Sequence, residues 1–126
     1  MEKKVIATTN APGAIGPYSQ AQVIGDLVIT SGQLPIDVAT GAFPEGIEAQ
    51  TRQSLTNVKN ILESAGSGMD KVVKTTVFLS DIANFGAMNE VYGTFFGDGG
   101  YPARSAVEVA KIPKDALVEI EVVAMV

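Results

Sequence analysis

The 126-residue chain predicts an α+β fold, with two helices packed on one face of a mixed sheet. Three observations carry this expectation. Apolar residues recur with a period of two in six segments and with steps of three and four in two others. The order of these segments is β-β-β-α-β-α-β-β. Only two helices are available, so they cover one face of the sheet and leave the other open. The length fits a single domain over residues 1–126 with one core.

Lys3 to Thr8 alternates enough to form a strand, placed at an edge. Ala11 to Pro17 is rich in Gly and Pro and reads as a loop. Gln20–Ile24 and Leu27–Gln33 are apolar runs separated by Gly25-Asp26, the length of a tight hairpin turn. Pro35 to Pro44 is a second loop. From Glu45 to Ala65, Ile47, Thr51, Leu55, Val58, Leu62 and Ala65 fall on one helical stripe, and Gly66 supplies the stop. Such a helix is roughly 30 Å long, enough to cross a sheet.

Lys71–Leu79 is β-branched and apolar and reads as a strand. Phe85, Met88, Tyr92 and Phe95 mark a second amphipathic helix, with Asp81 or Asn84 as N-cap and Gly97-Asp98-Gly99-Gly100 as its end. Ala103–Ala110 and Leu117–Met125 are the last strands, joined through Ile112-Pro113-Lys114-Asp115.

Hydrophobic residues make up 46% of the chain and charged residues 18%, below the roughly 25% charged of an average soluble chain. So little charge on a small chain, with one sheet face uncovered, points to an oligomer with an apolar interface. The net charge of −5 argues against a phosphate-binding surface and hence against a nucleic-acid partner. There is no His and no Cys. Ser-His-Asp and Cys-His nucleophiles, thiolate–zinc sites, His proton shuttles and disulfides are therefore excluded. Asp and Glu are too scattered for a metal cage. The N-terminal apolar stretch is too short for a signal peptide, and nothing approaches a membrane span, so the expected location is the cytoplasm.

Five places could carry chemistry. Arg104 heads the apolar strand Pro102-Ala103-Arg104-Ser105-Ala106-Val107-Glu108-Val109. A buried, unpaired guanidinium is costly, so Arg104 needs an anion. A salt bridge within the protein is the ordinary source; a bidentate grip on a small carboxylate is the functional one. Glu119 and Glu121 share a face of the last strand. Glu119 reads as a solvated outer residue. Glu121, deeper in the run, is expected to have a raised pKa suited to proton transfer. Tyr18 follows Gly16-Pro17, a rigid lead-in that aims its ring, although a half-buried loop tyrosine is the commoner fate. In Thr30-Ser31-Gly32-Gln33, Ser31 sits beside a glycine that lets a ligand approach the backbone closely, unless this is a plain strand-end turn. Asn89 lies among polar positions of the second helix, where solvent exposure is the ordinary outcome. Gly97-Asp98-Gly99-Gly100 lacks the spacing and the Lys of a phosphate loop, and the aromatic residues have no basic neighbours for RNA stacking.

Together these pieces resemble the Rid family (YjgF type), close to its RidA group. The matching segments are Gly16-Pro17-Tyr18-Ser19-Gln20, Thr30-Ser31-Gly32-Gln33-Leu34-Pro35, Arg52 to Val58 and Lys74 to Leu79. Asn89, Pro102-Ala103-Arg104-Ser105 and Glu119-Ile120-Glu121 complete the pattern, in order along essentially the whole chain. The resemblance implies a chorismate-mutase-like fold assembled as a homotrimer, with ligand sites in clefts between subunits. It also implies hydrolysis of 2-iminobutanoate and 2-iminopropanoate to 2-oxo acids and ammonia, without cofactor or metal. Such imines arise from enamines released by pyridoxal-phosphate-dependent dehydratases acting on threonine or serine.

On this resemblance Arg104 grips the substrate carboxylate, with help from the Gly32 amide. Glu121 and the main-chain carbonyl of Ala106 hold the attacking water, and Tyr18 closes the pocket. Ser31 and Asn89 match pocket positions. Many RidA proteins have Cys where this chain has Ala106, so only backbone chemistry is available there. Two other functions compete: a trimeric module that binds small carboxylates such as 2-oxo acids without turnover, and an endoribonuclease or translation inhibitor. Retention of both Arg104 and Glu121 favours the enzyme over the sensor. The acidic balance and missing His weigh against ribonuclease action.

Overall fold

The computed structural model describes residues 1–97 and 100–126. Six strands and two helices follow in the expected order: β1 (Lys3–Ile6), β2 (Ala21–Ile24), β3 (Leu27–Thr30), α1 (Ile47–Ser64), β4 (Val72–Leu79), α2 (Phe85–Gly93), β5 (Ala103–Glu108) and β6 (Val118–Met125). The strands form one sheet in the order β1-β2-β3-β6-β4-β5. Every pair is antiparallel except β4–β5, which is parallel, so the sheet is mixed as expected.

Both helices lie on one face. Val28, Val77, Leu79, Val118, Ile120, Val122 and Ala124 of the sheet are buried in one cluster with Leu55, Val58, Ile61 and Leu62 of α1 and Met88 of α2. On the other face, β1, β2, β3, β5 and β6 present Val5, Ile24, Leu27, Ile29, Val107 and Met125, all exposed. The uncovered apolar face inferred from composition is therefore present.

Element ends differ from expectation where side chains replace the backbone ladder. β1 stops at Ile6 rather than Thr8 because Gln20 takes over: the Thr8 N–H donates to Gln20 Oε1 at 2.7 Å, and Gln20 Nε2 donates to the Thr8 carbonyl at 3.0 Å. β3 ends at Thr30 rather than Gln33, yet Gln33 returns to pair with Ile120. Between the pairs Ile29↔Val123 and Gln33↔Ile120 the first segment carries one residue more than the second, so Ser31-Gly32 arches out as a bulge.

α1 ends as the glycine predicts. Gly66 adopts φ 82°, its N–H donates to the Glu63 carbonyl at 3.1 Å, and Ser67 N–H reaches back to Leu62 at 2.8 Å. The two N-cap candidates of the second helix separate. Asp81 caps a short 3₁₀ turn (Ile82–Asn84), accepting from Ala83 N–H at 2.9 Å, whereas Asn84 makes no side-chain cap. α2 closes at Gly93, before the Gly97–Gly100 segment expected to end it, of which Asp98 and Gly99 lie outside the described residues. Among the described residues no helix is long and apolar enough to cross a membrane.

Candidate functional site

Two clusters of the expected residues form, on opposite faces of the sheet. The first surrounds the bulge. Tyr18, Ser31, Gly32, Lys114 and Glu119 line a cavity of about 470 Å³. Gly16 (φ 126°) folds its loop back so that Tyr18 N–H donates to the Gly16 carbonyl at 2.9 Å, while the Tyr18 hydroxyl accepts from Ile15 N–H at 3.3 Å. The tyrosine is thus tethered at backbone and ring tip, yet 52% exposed. Ser31 Oγ donates to the Ser19 carbonyl at 2.6 Å, which ties the bulge to the Tyr18 loop.

Gly32 permits a close approach, as its residue type suggested, but the approaching group is Glu119. A Cβ on Gly32 would lie 2.7 Å from Glu119 Oε2, inside contact distance. Burial pushes the Glu119 carboxyl above its usual range, and the neighbouring Glu121 charge pushes it further the same way. The expectation that Glu119 is the solvated member of the pair therefore does not describe its surroundings. Glu119 lines the cavity and Glu121 is not among its lining residues. The alternation that places both on one face was legible. The arch that leans Gly32 over the first of them was not, because it depends on a pairing between residues 33 and 120.

The cavity floor carries a further feature that sequence reasoning passed over. Lys114 and Asp115 adopt φ 59° and 58°, the left-handed region, although neither is glycine. Ile112 and Ala116, both buried, pin the two ends of this turn. Their anchoring holds a conformation that otherwise costs roughly 1–2 kcal/mol per residue.

The second cluster lies at the β5 edge. Arg104 pairs in register with Thr75 of β4, whose side chain is fully buried beneath α2, so Arg104 points to the helix-covered face. Its Nη1 donates to Asn89 Oδ1 at 2.6 Å, and its Cζ lies 4.8 Å from the Tyr92 ring centre and 5.4 Å from that of Phe85. These described partners are a neutral amide and two rings, and no carboxylate is among them. Asn89, for which solvent exposure was the ordinary outcome, is instead half-buried against the guanidinium. Arg104, Asn89, Tyr92, Gly93, Tyr101 and Pro102 surround a cavity of about 360 Å³.

Ala106 lies two residues along β5 from Arg104, its methyl against the core. Val109 N–H donates to the Leu79 carbonyl at 2.9 Å, so residues of that parity face β4. In a parallel pair the alternate residues then turn both N–H and C=O outward. The carbonyls of Arg104 and Ala106 are thus left on the open edge.

One chain does not bring the clusters together. Arg104 is on β5 and faces the helices; Glu119 is on β6, pairs with Phe78 and faces the open side; β4 runs between them. Two strand spacings, about 10 Å, separate the elements on top of the change of face. Among the described residues no group of three or more Asp or Glu is placed to hold a metal ion.

The family model described as endoribonuclease L-PSP matches residues 8–126. The 2-iminobutanoate/2-iminopropanoate deaminase of Salmonella typhimurium is 53% identical over 124 residues, 97% of each chain. Among solved structures, E. coli TdcF with bound serine superimposes with a TM-score of 0.94 at 46% identity, covering 98% of each chain. The YjgF gene product of E. coli matches with a TM-score of 0.94 at 51% identity, covering 97% of this chain and 98% of that one.

Proposed function

The chain belongs to the endoribonuclease L-PSP family, that of the YjgF and Rid proteins, and from that membership we propose that it is a 2-iminobutanoate/2-iminopropanoate deaminase. It hydrolyses 2-imino acids to 2-oxo acids and ammonia. The single observation that carries this function is Arg104, a fixed cation whose described partners are all neutral. A small carboxylate completes such a site. The serine bound to TdcF has the same carboxylate-and-amine outline.

Hydrolysis needs water added to C2 of the imine and a proton delivered to the nitrogen. The proposed water-holder is Glu119, in place of the Glu121 first expected, because Glu119 lines the cavity beside Tyr18 and Ser31. With the imine protonated, the Glu119 carboxylate takes a proton from water as oxygen bonds to C2 and the C=N pair moves to nitrogen, giving a neutral carbinolamine. The carboxyl then gives that proton to nitrogen, and takes the hydroxyl proton as the C–N bond breaks, C=O forms and ammonia leaves. A carboxyl with a raised pKa suits both directions of transfer. An imine is already electrophilic, so orientation and one proton shuttle suffice without His or Cys.

The two clusters must then meet across an interface. A substrate of three or four carbons cannot touch residues two strands apart on opposite faces, so Arg104 and Asn89 come from one copy and Tyr18, Ser31, Gly32 and Glu119 from its neighbour. The outward carbonyl of Ala106 lies on the Arg104 side of that cleft. The exposed apolar face supports a homotrimer as the assembly that closes it. The cytoplasmic location expected from the sequence belongs to the same proposal.

The test adds purified protein to a threonine dehydratase reaction and follows imine decay optically. Wild type should accelerate decay. Arg104→Ala should stay folded and lose tens- to thousands-fold in rate, the scale of about 2–5 kcal/mol for a charge-assisted pair. Arg104→Lys should recover little, because an ammonium cannot copy a planar two-point grip. Wild-type protein that binds 2-oxobutanoate but leaves imine decay unchanged would be a carboxylate-sensing module instead.

A further inference from the structure

Arg104 is held by three side chains of α2 spaced by four and three residues, Phe85, Asn89 and Tyr92, which lie along one helix face. Asn89 takes one of the five guanidinium N–H donors at 2.6 Å. The rings engage the cation through their faces, at 5.4 Å for Phe85 and 4.8 Å for Tyr92, and a ring face does not use up the in-plane donors as a carboxylate would. Tyr92 is itself fixed. Its hydroxyl is 2.7 Å from Thr75 Oγ1, a fully buried group on β4, and its ring lies 4.7 Å from that of Phe96 with a 47° tilt. A rigid line therefore runs from β4 through Tyr92 to the guanidinium on β5.

The choice of partners has a chemical consequence. A carboxylate beside Arg104 would hold it equally well but would neutralise it and compete with any acid that enters. Aromatic faces and a neutral amide fix the same plane and leave the charge uncompensated. We propose that Phe85 and Tyr92 are positioning residues for Arg104: their ring faces hold the guanidinium in one orientation without neutralising it, so its charge and free donors stay directed at an anionic substrate. This rests on the deaminase function proposed above, in which Arg104 grips the substrate carboxylate.

Calorimetric binding of 2-oxobutanoate, with imine turnover measured in parallel, tests it. Tyr92→Leu keeps an apolar side chain but removes the ring, and should weaken binding by roughly 2- to 30-fold, the range of a cation–π contact. KM should rise by a similar factor while kcat changes far less, because the grip is present in ground and transition states alike. Tyr92→Phe keeps the face and should recover most of the loss. Phe85→Leu, at a half-buried position, should behave as Tyr92→Leu does and serves if Tyr92→Leu fails to fold. In an Arg104→Gln background neither change should weaken binding further. Asn89→Asp should also weaken binding, since it introduces the neutralising carboxylate that the cradle lacks.

Wild-type-like affinity in both Leu variants would overturn the proposal, as would a loss that Tyr92→Phe fails to rescue or that persists without Arg104. Nitrogen NMR of the Arg104 guanidinium, in the protein without ligand, separates this from the function itself. Slow rotation in wild type that becomes fast in the Leu variants supports the cradle even if no 2-oxo acid binds. Equal rotation in all of them overturns it even if the enzyme is active.

Discussion

Glu119 and Glu121 stand two residues apart on one strand face, and burial beside the Tyr18 cavity pushes the Glu119 carboxyl above its usual range. The assignment of roles within this pair is open to direct test. Glu119→Gln should lower kcat by roughly 10²–10⁴-fold, the usual scale of a positioned acid–base group. Glu121→Gln removes only a like charge, so the acidic limb of the kcat/KM profile should move to lower pH with the plateau largely kept. The reverse outcome, an inactive Glu121→Gln and an active Glu119→Gln, would return the role to Glu121. Stability follows with a fixed sign. The folded protein binds the Glu119 proton more tightly than the unfolded chain does, so stability is lost as pH rises through the interval between the two pKa values. The melting temperature of Glu119→Gln should therefore exceed that of wild type near about pH 8 and converge with it near about pH 3.5. At this scale residue types were more legible than their partners. Arg104 at the head of an apolar strand reads as a cation in need of an anion, but the neutral partners that hold it, Asn89, Phe85 and Tyr92, were not legible. That Glu119 fills the space left by Gly32 depends on chain segments far apart in sequence.

Elements were legible wherever their signals are local. The helical stripe from Ile47 to Leu62, its glycine stop at Gly66 and the hairpin at Gly25-Asp26 all stand where the pattern puts them. The ends that moved are those set at long range, as when Gln20 replaces the ladder beyond Ile6. Thr51 belongs to the α1 stripe by spacing and is fully buried, yet its hydroxyl has no partner among the described residues; nor has that of Ser54, three residues on and also fully buried. A buried polar atom without a hydrogen bond costs about 1–3 kcal/mol. Thr51→Val keeps the shape and removes that atom, so denaturant melts should find it neutral or more stable by about 1 kcal/mol. Leu55→Ala, on the same buried face, should cost about 2–5 kcal/mol. Destabilisation by Thr51→Val would mean that a buried water satisfies the hydroxyl.

At the scale of the whole molecule, two facts call for a second copy: the apolar face left bare by the helices, and the two clusters that one chain keeps apart. The bare face was legible because composition and helix count limit what a chain can cover. The division of the site was not derivable from spacing, since it depends on which side of the sheet each strand turns its odd and even residues. Light scattering at micromolar concentration should find a trimer, and a stable monomer would remove the interface that completes the site. Subunit complementation goes further and tests the central claim most directly. Arg104→Ala and Glu119→Gln should each show only their residual rates alone. When they are unfolded together and refolded as a mixture, about a quarter of the sites in a closed ring should pair an intact Arg104 with an intact Glu119 from the next copy. Imine hydrolysis should then return to about that fraction of wild type. A mixture of correctly assembled trimers that stays as inactive as its parts would contradict the shared site.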